Sequence, residues 1–378
     1  MSRELEQQLA GLKSLSETSR LDMKPVMMRV LTDLFVSKPH HAPDDIAQFA
    51  EISARILDQV DEDTLEVVAR KLGPHPQTPD TLRDWLMHHG GRTAAALIET
   101  SRDVDRAQLA AAAQGVVQLA EAVARRADLD AQLVSLLVRR PENSVAVALA
   151  QNSTVALSAE DMRGFIQRAR NDEPLARALI ARGVEPKDAA PLFLHAGAEL
   201  RMEILRTTRE IGQGAIGAIE EGPLSPALLD IEKAACVRDW SRFAFALSLR
   251  LGVRIEEARK LMGDASGETL ALALAAIEAP TSLVTRIFLC REPAIAHSYG
   301  AVRHLANLAE SVTPAEARRI IEAICGPQPQ SRPARVHAPQ YDQTAATQPS
   351  RAAPAPLQTT HANPQGVVAL RPVNRAES

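Results

Sequence analysis

Aromatic side chains are scarce in this sequence of 378 residues, at 3% of the total. Proteins that read single-stranded nucleic acid stack bases on such rings, so the scarcity argues against that class. The formal net charge of −4 is small for the length, which argues against a general polyanion binder. No window approaches the roughly 18 uninterrupted apolar residues of a membrane span, so no membrane insertion is predicted.

Cysteine is equally sparse, with Cys236, Cys290 and Cys325 far apart and no CxxC pair. The N-terminus has no basic region followed by an apolar run, so no signal peptide is predicted. Together these features predict a cytoplasmic protein with reduced thiols. Cys236 and Cys290 lie in apolar helical contexts without an adjacent histidine, which predicts buried small hydrophobic residues rather than nucleophiles.

Aliphatic residues are abundant, because apolar side chains make up 46% of the sequence and few of them are aromatic. In residues 44–60 they recur with the period of a helix, at Ile46, Phe49, Ala50 and Ile56. No run in the body of the chain alternates apolar and polar residues between turn signals. The sequence therefore predicts an all-α fold.

Part of the sequence repeats itself. The segment AVARRADLDAQLVSLLVRR, starting at Ala122, returns 56 residues later as ALIARGVEPKDAAPLFLHA. Arg126 aligns with Arg182, and Leu137 aligns with Phe193. Short helices that repeat in this way cannot bury their apolar faces alone and must stack on their neighbours. We therefore expect a HEAT-like right-handed helical solenoid of αα repeats.

Turn signals and composition divide the chain into four predicted parts. Residues 1–100 form an N-terminal helical segment, 101–222 the HEAT-like repeats and 223–326 a smaller C-terminal helical block. Residues 327–378 are crowded with Pro, Gln, Ala, Thr and Arg and are predicted to be a disordered tail.

Individual helices are bounded by proline, glycine and acidic residues. Asp172 with Pro174, and Glu185 with Pro186, are predicted to open successive helices of the repeat region. A single longer helix is predicted around residues 293–310.

The run RRADLDAQLVSLLVRRPENSVAVALAQN resembles the repeat unit of the bacterial family called domain of unknown function 2336. The matching parts are Arg126, the turn Asp128-Leu129, the helix from Leu133 to Val138, and the closing residues 149–152. Residues 29–72 and 263–288 resemble the opening and closing modules of the family, so that the resemblance covers most of residues 20–325. It implies a HEAT-like helical fold and carries over no catalytic residue.

The histidines do not predict a metal site. His40-His41 and His88-His89 are adjacent pairs whose side chains diverge, and His297 and His304 lie two helical turns apart. We expect them at the surface or at interfaces.

The glycines Gly212, Gly214 and Gly217 resemble a dinucleotide-binding motif. However, helical sequence flanks them where that motif needs a strand. No catalytic residue, cofactor, metal or small-molecule ligand is therefore predicted.

Arginine is the one residue type with a functional pattern. The candidate partner-binding residues are Arg125, Arg126, Arg139, Arg140 and Arg182, which fall at helix ends. One interpretation is that these cations complement the negative helix termini and satisfy the last carbonyl groups. The other is a row of guanidinium groups along one solenoid edge that binds acidic residues or phosphates.

Repeat arrays offer long surfaces without deep cavities, which favours binding over catalysis. We therefore expect a non-enzymatic scaffold or regulatory adaptor that binds another cytosolic protein. The alternative is a nucleic-acid-binding protein that uses the arginine edge, and the net negative charge opposes it.

Overall fold

The predicted all-α class is confirmed. The computed structural model describes residues 23–212 and 223–327, which contain 21 helices and no strand. Among these residues, no helix combines the length and apolar character needed to cross a bilayer. The predicted tail, residues 327–378, lies outside the described residues except for Pro327.

The helices are short and are numbered here in chain order. The first six are α1 Lys24–Val36, α2 Pro43–Leu57, α3 Glu62–Leu72, α4 Asp80–His89, α5 Gly91–Thr100 and α6 Arg106–Gln114. The next six are α7 Val117–Ala124, α8 Ala131–Val138, α9 Asn143–Gln151, α10 Ala159–Ala169, α11 Glu173–Arg182 and α12 Ala198–Gly212, with a 3₁₀ helix at Ala190–His195. The last eight are α13 Pro226–Cys236, α14 Trp240–Leu251, α15 Ile255–Gly263, α16 Glu268–Ala276, α17 Thr281–Leu289, α18 Pro293–Ala296, α19 Tyr299–Ser311 and α20 Pro314–Cys325.

Side-chain caps set many of the helix starts. Asp61, Asp130 and Asp172 each accept a hydrogen bond from the backbone N–H three residues further on, at 2.9 Å. Such bonds satisfy N–H groups that have no partner within the helix. Thr313 and Glu316 cap α20 reciprocally. The predicted helix start at Asp172 is confirmed.

Helices of the N-terminal half stack in two layers. In one layer α1, α3, α5, α7, α9 and α11 pack in succession, and in the other α2 packs on α4 and α6 packs on α8. Val117 begins α7 and Glu173 begins α11, so the sequence repeat of 56 residues spans two helix pairs. Each copy of the sequence repeat therefore contains two structural units, and each unit is one pair of helices.

Two predicted helices differ from the structure. The helix predicted to open at Glu185-Pro186 is the 3₁₀ helix Ala190–His195, preceded by a turn. Pro191 lacks an N–H, so it cannot continue an α-helical ladder, and Leu192 donates instead to the carbonyl of Ala189 at 2.8 Å. The single helix expected at 293–310 is divided into α18 and α19, because Ser298 caps a new start.

Buried apolar residues form three clusters, which extend over residues 28–97, 98–192 and 189–325. The 3₁₀ helix joins the last two, since Leu192 packs in one cluster and Phe193 in the other. In the third cluster α16 is buried from Thr269 to Ala276 among α15, α19 and α20. The predicted part boundaries near 100 and 222 stay a prediction.

A non-glycine residue in the left-handed region ends α16. Glu278 has φ 60°, its N–H donates to Ala275, and the N–H of Ala279 donates to Leu274, both at 3.0 Å. This is the Schellman motif, in which the left-handed position that Glu278 occupies is usually glycine. We expect Glu278→Gly to raise the free energy of unfolding by roughly 0.5–1 kcal/mol, because a Cβ is strained at positive φ.

Urea denaturation of both proteins measures this difference. Glu278→Ala is the matched control, because it removes the exposed carboxylate and keeps the Cβ. If Glu278→Ala raises the free energy of unfolding as much as Glu278→Gly does, then the charge, and not backbone strain, is responsible.

Candidate interaction surface

The C-terminal end of α5 is bound by a side chain from the next helix pair. Arg126 follows α7, and its Nη1 donates to the carbonyl oxygens of Ile98 and Ser101, the latter at 2.6 Å. The side chain is only 3% exposed. The last carbonyl groups of a helix have no partner within it, and a cation there also complements the helix dipole. Arg126 therefore connects two neighbouring helices of one layer.

The same connection occurs at the next two steps. Asn152, after α9, donates from Nδ2 to the carbonyls of Ala124 and Arg126 at 2.8 and 2.6 Å. Arg182, at the end of α11, donates from Nη1 to the carbonyls of Leu149 and Asn152 at 3.1 and 2.8 Å. We call Arg126, Asn152 and Arg182 the carbonyl-binding row. It joins α5, α7, α9 and α11 at their C-terminal ends.

An acidic neighbour orients the first member of this row. Arg126 donates from Nε and Nη2 to the two carboxylate oxygens of Asp128, at 2.8 and 2.6 Å. These hydrogen bonds are the main reason that the pKa of Asp128 lies below its ordinary value of 3.8. The bidentate pair fixes the guanidinium plane and leaves Nη1 for the carbonyl groups of α5.

Arginines of the other layer act in the same way. Arg140 donates from Nη1 to the carbonyls of Ala113 and Gly115, each at 2.9 Å, at the end of α6. Its Nε and Nη2 bind Glu142 at 3.0 and 2.8 Å. Arg168 in turn donates to the carbonyl of Arg140 at 3.0 Å. Neighbouring units are thus connected in both layers.

The five candidate partner-binding arginines therefore divide into two groups. Arg126, Arg140 and Arg182 donate to carbonyls of the preceding helix pair, as described above. Arg125 and Arg139 are exposed, and Arg125 forms an ion pair with Glu121 at 3.3 Å. The first group thus fits the interpretation that arginines satisfy the last carbonyl groups of helices. The carbonyl groups belong to neighbouring helices and not to the helix that each arginine follows or ends. Partner binding by these residues stays a prediction.

A surface groove runs across α7, α9 and α11. It consists of a hollow of about 300 Å³ between all three helices and one of about 440 Å³ between α9 and α11. Gln151 lines both hollows. We call this surface the α7–α11 groove; its exposed or partly exposed lining includes Arg125, Ser144, Val147, Gln151, Ser153, Ala181 and Arg182.

A further hollow of about 510 Å³ lies between α10 and residues 183–188. Its rim is charged, with Arg163, Lys187 and Asp188. Lys187 forms an ion pair with Glu185 at 2.6 Å, which also raises the pKa of the lysine. Part of this charge is thus already neutralised within the chain.

Several histidines have partners within the protein, and the rings of His41 and His75 lie 5.7 Å apart. His41 is buried against the ring of Phe35, and its Nε2 lies 2.7 Å from the carbonyl oxygen of Phe35. His89 lies 3.1 Å from Glu62, and His304 lies 3.3 Å from Glu268. Within the two described ranges, no group of three His, Cys, Asp or Glu could hold a metal ion.

The glycine motif is only partly visible. Gly212 is the last residue of α12, whereas Gly214 and Gly217 lie outside the described residues.

A buried arginine that sequence reasoning missed connects α12 to the loop before α16. Nη1 of Arg201 donates to Asp264 at 3.1 Å, to Ser266 at 2.6 Å and to Glu268 at 2.8 Å. The guanidinium also lies 5.1 Å from the ring centre of Phe193. We call these five residues the Arg201 cluster. The three side chains that accept hydrogen bonds from Arg201 are more than 60 residues away in sequence, so no local pattern could reveal them.

The charge of Asp264 depends on this cluster. Burial alone would raise the pKa of Asp264, but hydrogen bonds from Ser266 and Arg201, together with the arginine charge, hold it below its ordinary value of 3.8. The carboxylate is therefore ionised at neutral pH and neutralises the buried guanidinium.

The prediction that Cys236 is buried is wrong. Cys236 is exposed, Cys290 is half-buried, and Cys325 is buried. Cys236 is the last residue of α13, and its neighbour Val237 is also exposed. The residues next to Cys236 in the sequence are apolar, but some of them are exposed to solvent, so the apolar sequence did not imply burial.

Residues 93–225 match a bacterial family described as "Uncharacterised protein conserved in bacteria (DUF2336)". The matched range contains most of α5, all of α6 to α12 and both copies of the sequence repeat. The predicted resemblance is thus confirmed over this range, whereas residues 29–72 and 263–288 lie outside it. No curated protein and no solved structure matches the chain.

Proposed function

We propose that α1 to α11 stack as a HEAT-like right-handed solenoid and that the protein is a non-enzymatic scaffold or adaptor. Its partner is another cytosolic protein, which binds along the α7–α11 groove. The observation that carries the proposal is the groove itself, because it follows the layer that the carbonyl-binding row joins. Side chains that are committed to internal carbonyls hold its three helices in fixed positions, and such preorganisation lowers the entropic cost of binding.

The lining of the groove favours a protein segment as the occupant. Ser144, Gln151 and Ser153 offer neutral hydrogen-bonding groups, and the small Ala181 allows close approach of a backbone. Arg125 is 46% exposed at one end, where it can exchange Glu121 for an acidic side chain of the partner. We therefore expect a helix or extended segment with polar side chains and one acidic residue.

Duplex nucleic acid fits this surface less well. A phosphate-binding edge needs guanidinium groups with free N–H donors, whereas Arg126, Arg140 and Arg182 donate to backbone carbonyls. The net charge of −4 also disfavours a polyanion.

Site-specific crosslinking in the native cell tests the proposal. A photoreactive phenylalanine analogue replaces Gln151 in the groove or, as matched control, Gln167, an exposed glutamine on α10. We expect one protein to be crosslinked from position 151 and not from position 167. The identified partner is then purified and its affinity is measured with Ser144→Arg and with Gln167→Arg.

Ser144 is exposed, so the arginine fills the groove without entering the core. We expect Ser144→Arg to weaken binding at least tenfold, and Gln167→Arg to leave it unchanged. Equal crosslinking from both positions, or equal affinity of both variants, would exclude the groove as the binding site. Salt-sensitive binding of random duplex DNA that Arg125→Gln and Arg139→Gln weaken would instead favour the alternative function.

A further inference from the structure

Two of the cysteines stand at the ends of neighbouring helices. Cys236 is the last residue of α13, and Cys290 directly follows α17. The two helices pack against each other. Cys236 is exposed and Cys290 is half-buried, so solvent reaches the pair from one side.

An ion pair joins the two helices. Glu232 of α13 and Arg286 of α17 are joined at 3.1 Å between Oε1 and Nε. Each residue lies four positions before the cysteine of its helix, so the ion pair and the cysteine share one helix face. The two cysteines lie one turn beyond the ion pair, on the same side of the two packed helices, and the proximity of Cys236 contributes to the raised pKa of Cys290.

We propose that Cys236 and Cys290 are a reversible disulfide site that responds to hydrogen peroxide. In the first step the Cys236 sulfur attacks the peroxide O–O bond, which gives a sulfenic acid and one water. The Cys290 sulfur then attacks the Cys236 sulfur, forms the S–S bond and releases a second water. Two thiols are oxidised, one peroxide is reduced to two waters, and a dithiol reductant reverses the change.

The surroundings assign different roles to the three cysteines. Burial raises the pKa of Cys290, as does the neighbouring Cys236, so Cys290 is a thiol at neutral pH and acts in the second step. Cys236, which is exposed, meets the peroxide first. Burial raises the pKa of Cys325 to about 12, which keeps that thiol unreactive. Of the three possible pairs of cysteines, only Cys236 and Cys290 are therefore expected to form a disulfide.

Thiol counting on the full chain tests the proposal. The folded protein is treated with hydrogen peroxide, quenched with a thiol-alkylating reagent, unfolded and digested without reductant. We expect the number of free thiols per chain to fall from three to one, and a peptide that links Cys236 to Cys290 to appear by mass spectrometry. Dithiothreitol should restore all three thiols.

Single substitutions distinguish the pair from general oxidation. Cys325→Ser is the matched control and should form the same linked peptide, with no free thiol left after peroxide. Cys236→Ser and Cys290→Ser should each abolish it. The proposal would be overturned if Cys290 stays reduced in the native chain while Cys236 forms intermolecular disulfides or sulfinic acid, or if Cys325 is the residue that pairs.

Discussion

Replacing Arg201 with methionine is expected to lower the free energy of unfolding by about 3–5 kcal/mol. The side chain is 9% exposed and Asp264 is 7% exposed, so the substitution leaves a buried carboxylate without its counter-charge. The carbonyls of Ala196 and Leu194 also lose donors, at 2.9 and 3.2 Å. Methionine keeps most of the apolar part of the side chain, so the decrease in the free energy of unfolding measures the contribution of the guanidinium group. Urea denaturation followed by circular dichroism measures it.

Arg206→Met is the matched control for this prediction. Arg206 lies on the same helix, is 60% exposed and pairs with Glu203 at 2.9 Å. Exposed ion pairs contribute little, so the control is expected to change stability by less than about 0.5 kcal/mol. Equal losses at the two positions would mean that the Arg201 cluster contributes no more than a surface ion pair.

The same cluster predicts a pH dependence. The pKa of Asp264 in the folded protein lies below its ordinary value of 3.8, so the unfolded chain binds the proton more tightly. The contribution of this carboxylate to stability is therefore complete well above pH 3.8 and is lost as the pH falls below that value. In Arg201→Met this part of the acid sensitivity should disappear, which urea titrations between neutral and acid pH would measure.

Replacing Arg126 with methionine is expected to lower the free energy of unfolding by about 2–4 kcal/mol. The buried carbonyls of Ile98 and Ser101 lose their donor, and Asp128 loses its bidentate partner. Because Arg126 joins α5 to α7, the loss should also increase amide hydrogen exchange in both helices. Denaturant titration and hydrogen exchange measure the two effects.

The neighbouring residue provides the control. Arg125 is 46% exposed and pairs only with Glu121 within its own helical segment. We expect Arg125→Met to change stability by less than about 0.5 kcal/mol. A comparable loss from Arg125→Met would show that helix-terminal charge, rather than carbonyl binding across helices, stabilises this edge.

Sequence reasoning identified the local structure well. Helical periodicity predicted α2, and capping residues predicted the start of α11 at Asp172, because such signals act within a few residues. It failed at residues 185–195, where Glu185 and Pro186 suggested the start of an α-helix. The position of Pro191 decides that segment, and its effect depends on which hydrogen bonds the surrounding packing permits.

The candidate site was harder to predict, because its contacts join distant residues. The pattern of arginines at helix ends was visible in the sequence, yet Arg125 and Arg126 have opposite environments. Adjacent residues differ in this way because a helix end turns one side chain toward the preceding pair and the other toward solvent. The Arg201 cluster had no local signal, since its carboxylates come from the loop before α16 and from the start of that helix.

The carbonyl-binding row also gives the chain a direction of assembly. Each donor lies C-terminal to the carbonyls it binds, so a helix end is completed only by residues that the ribosome adds later. When synthesis has reached Gln151, the carbonyls of Ala124 and Arg126 still lack Asn152, and those of Leu149 and Ala150 lack Arg182. During translation the array therefore always has one unfinished edge, at its growing end.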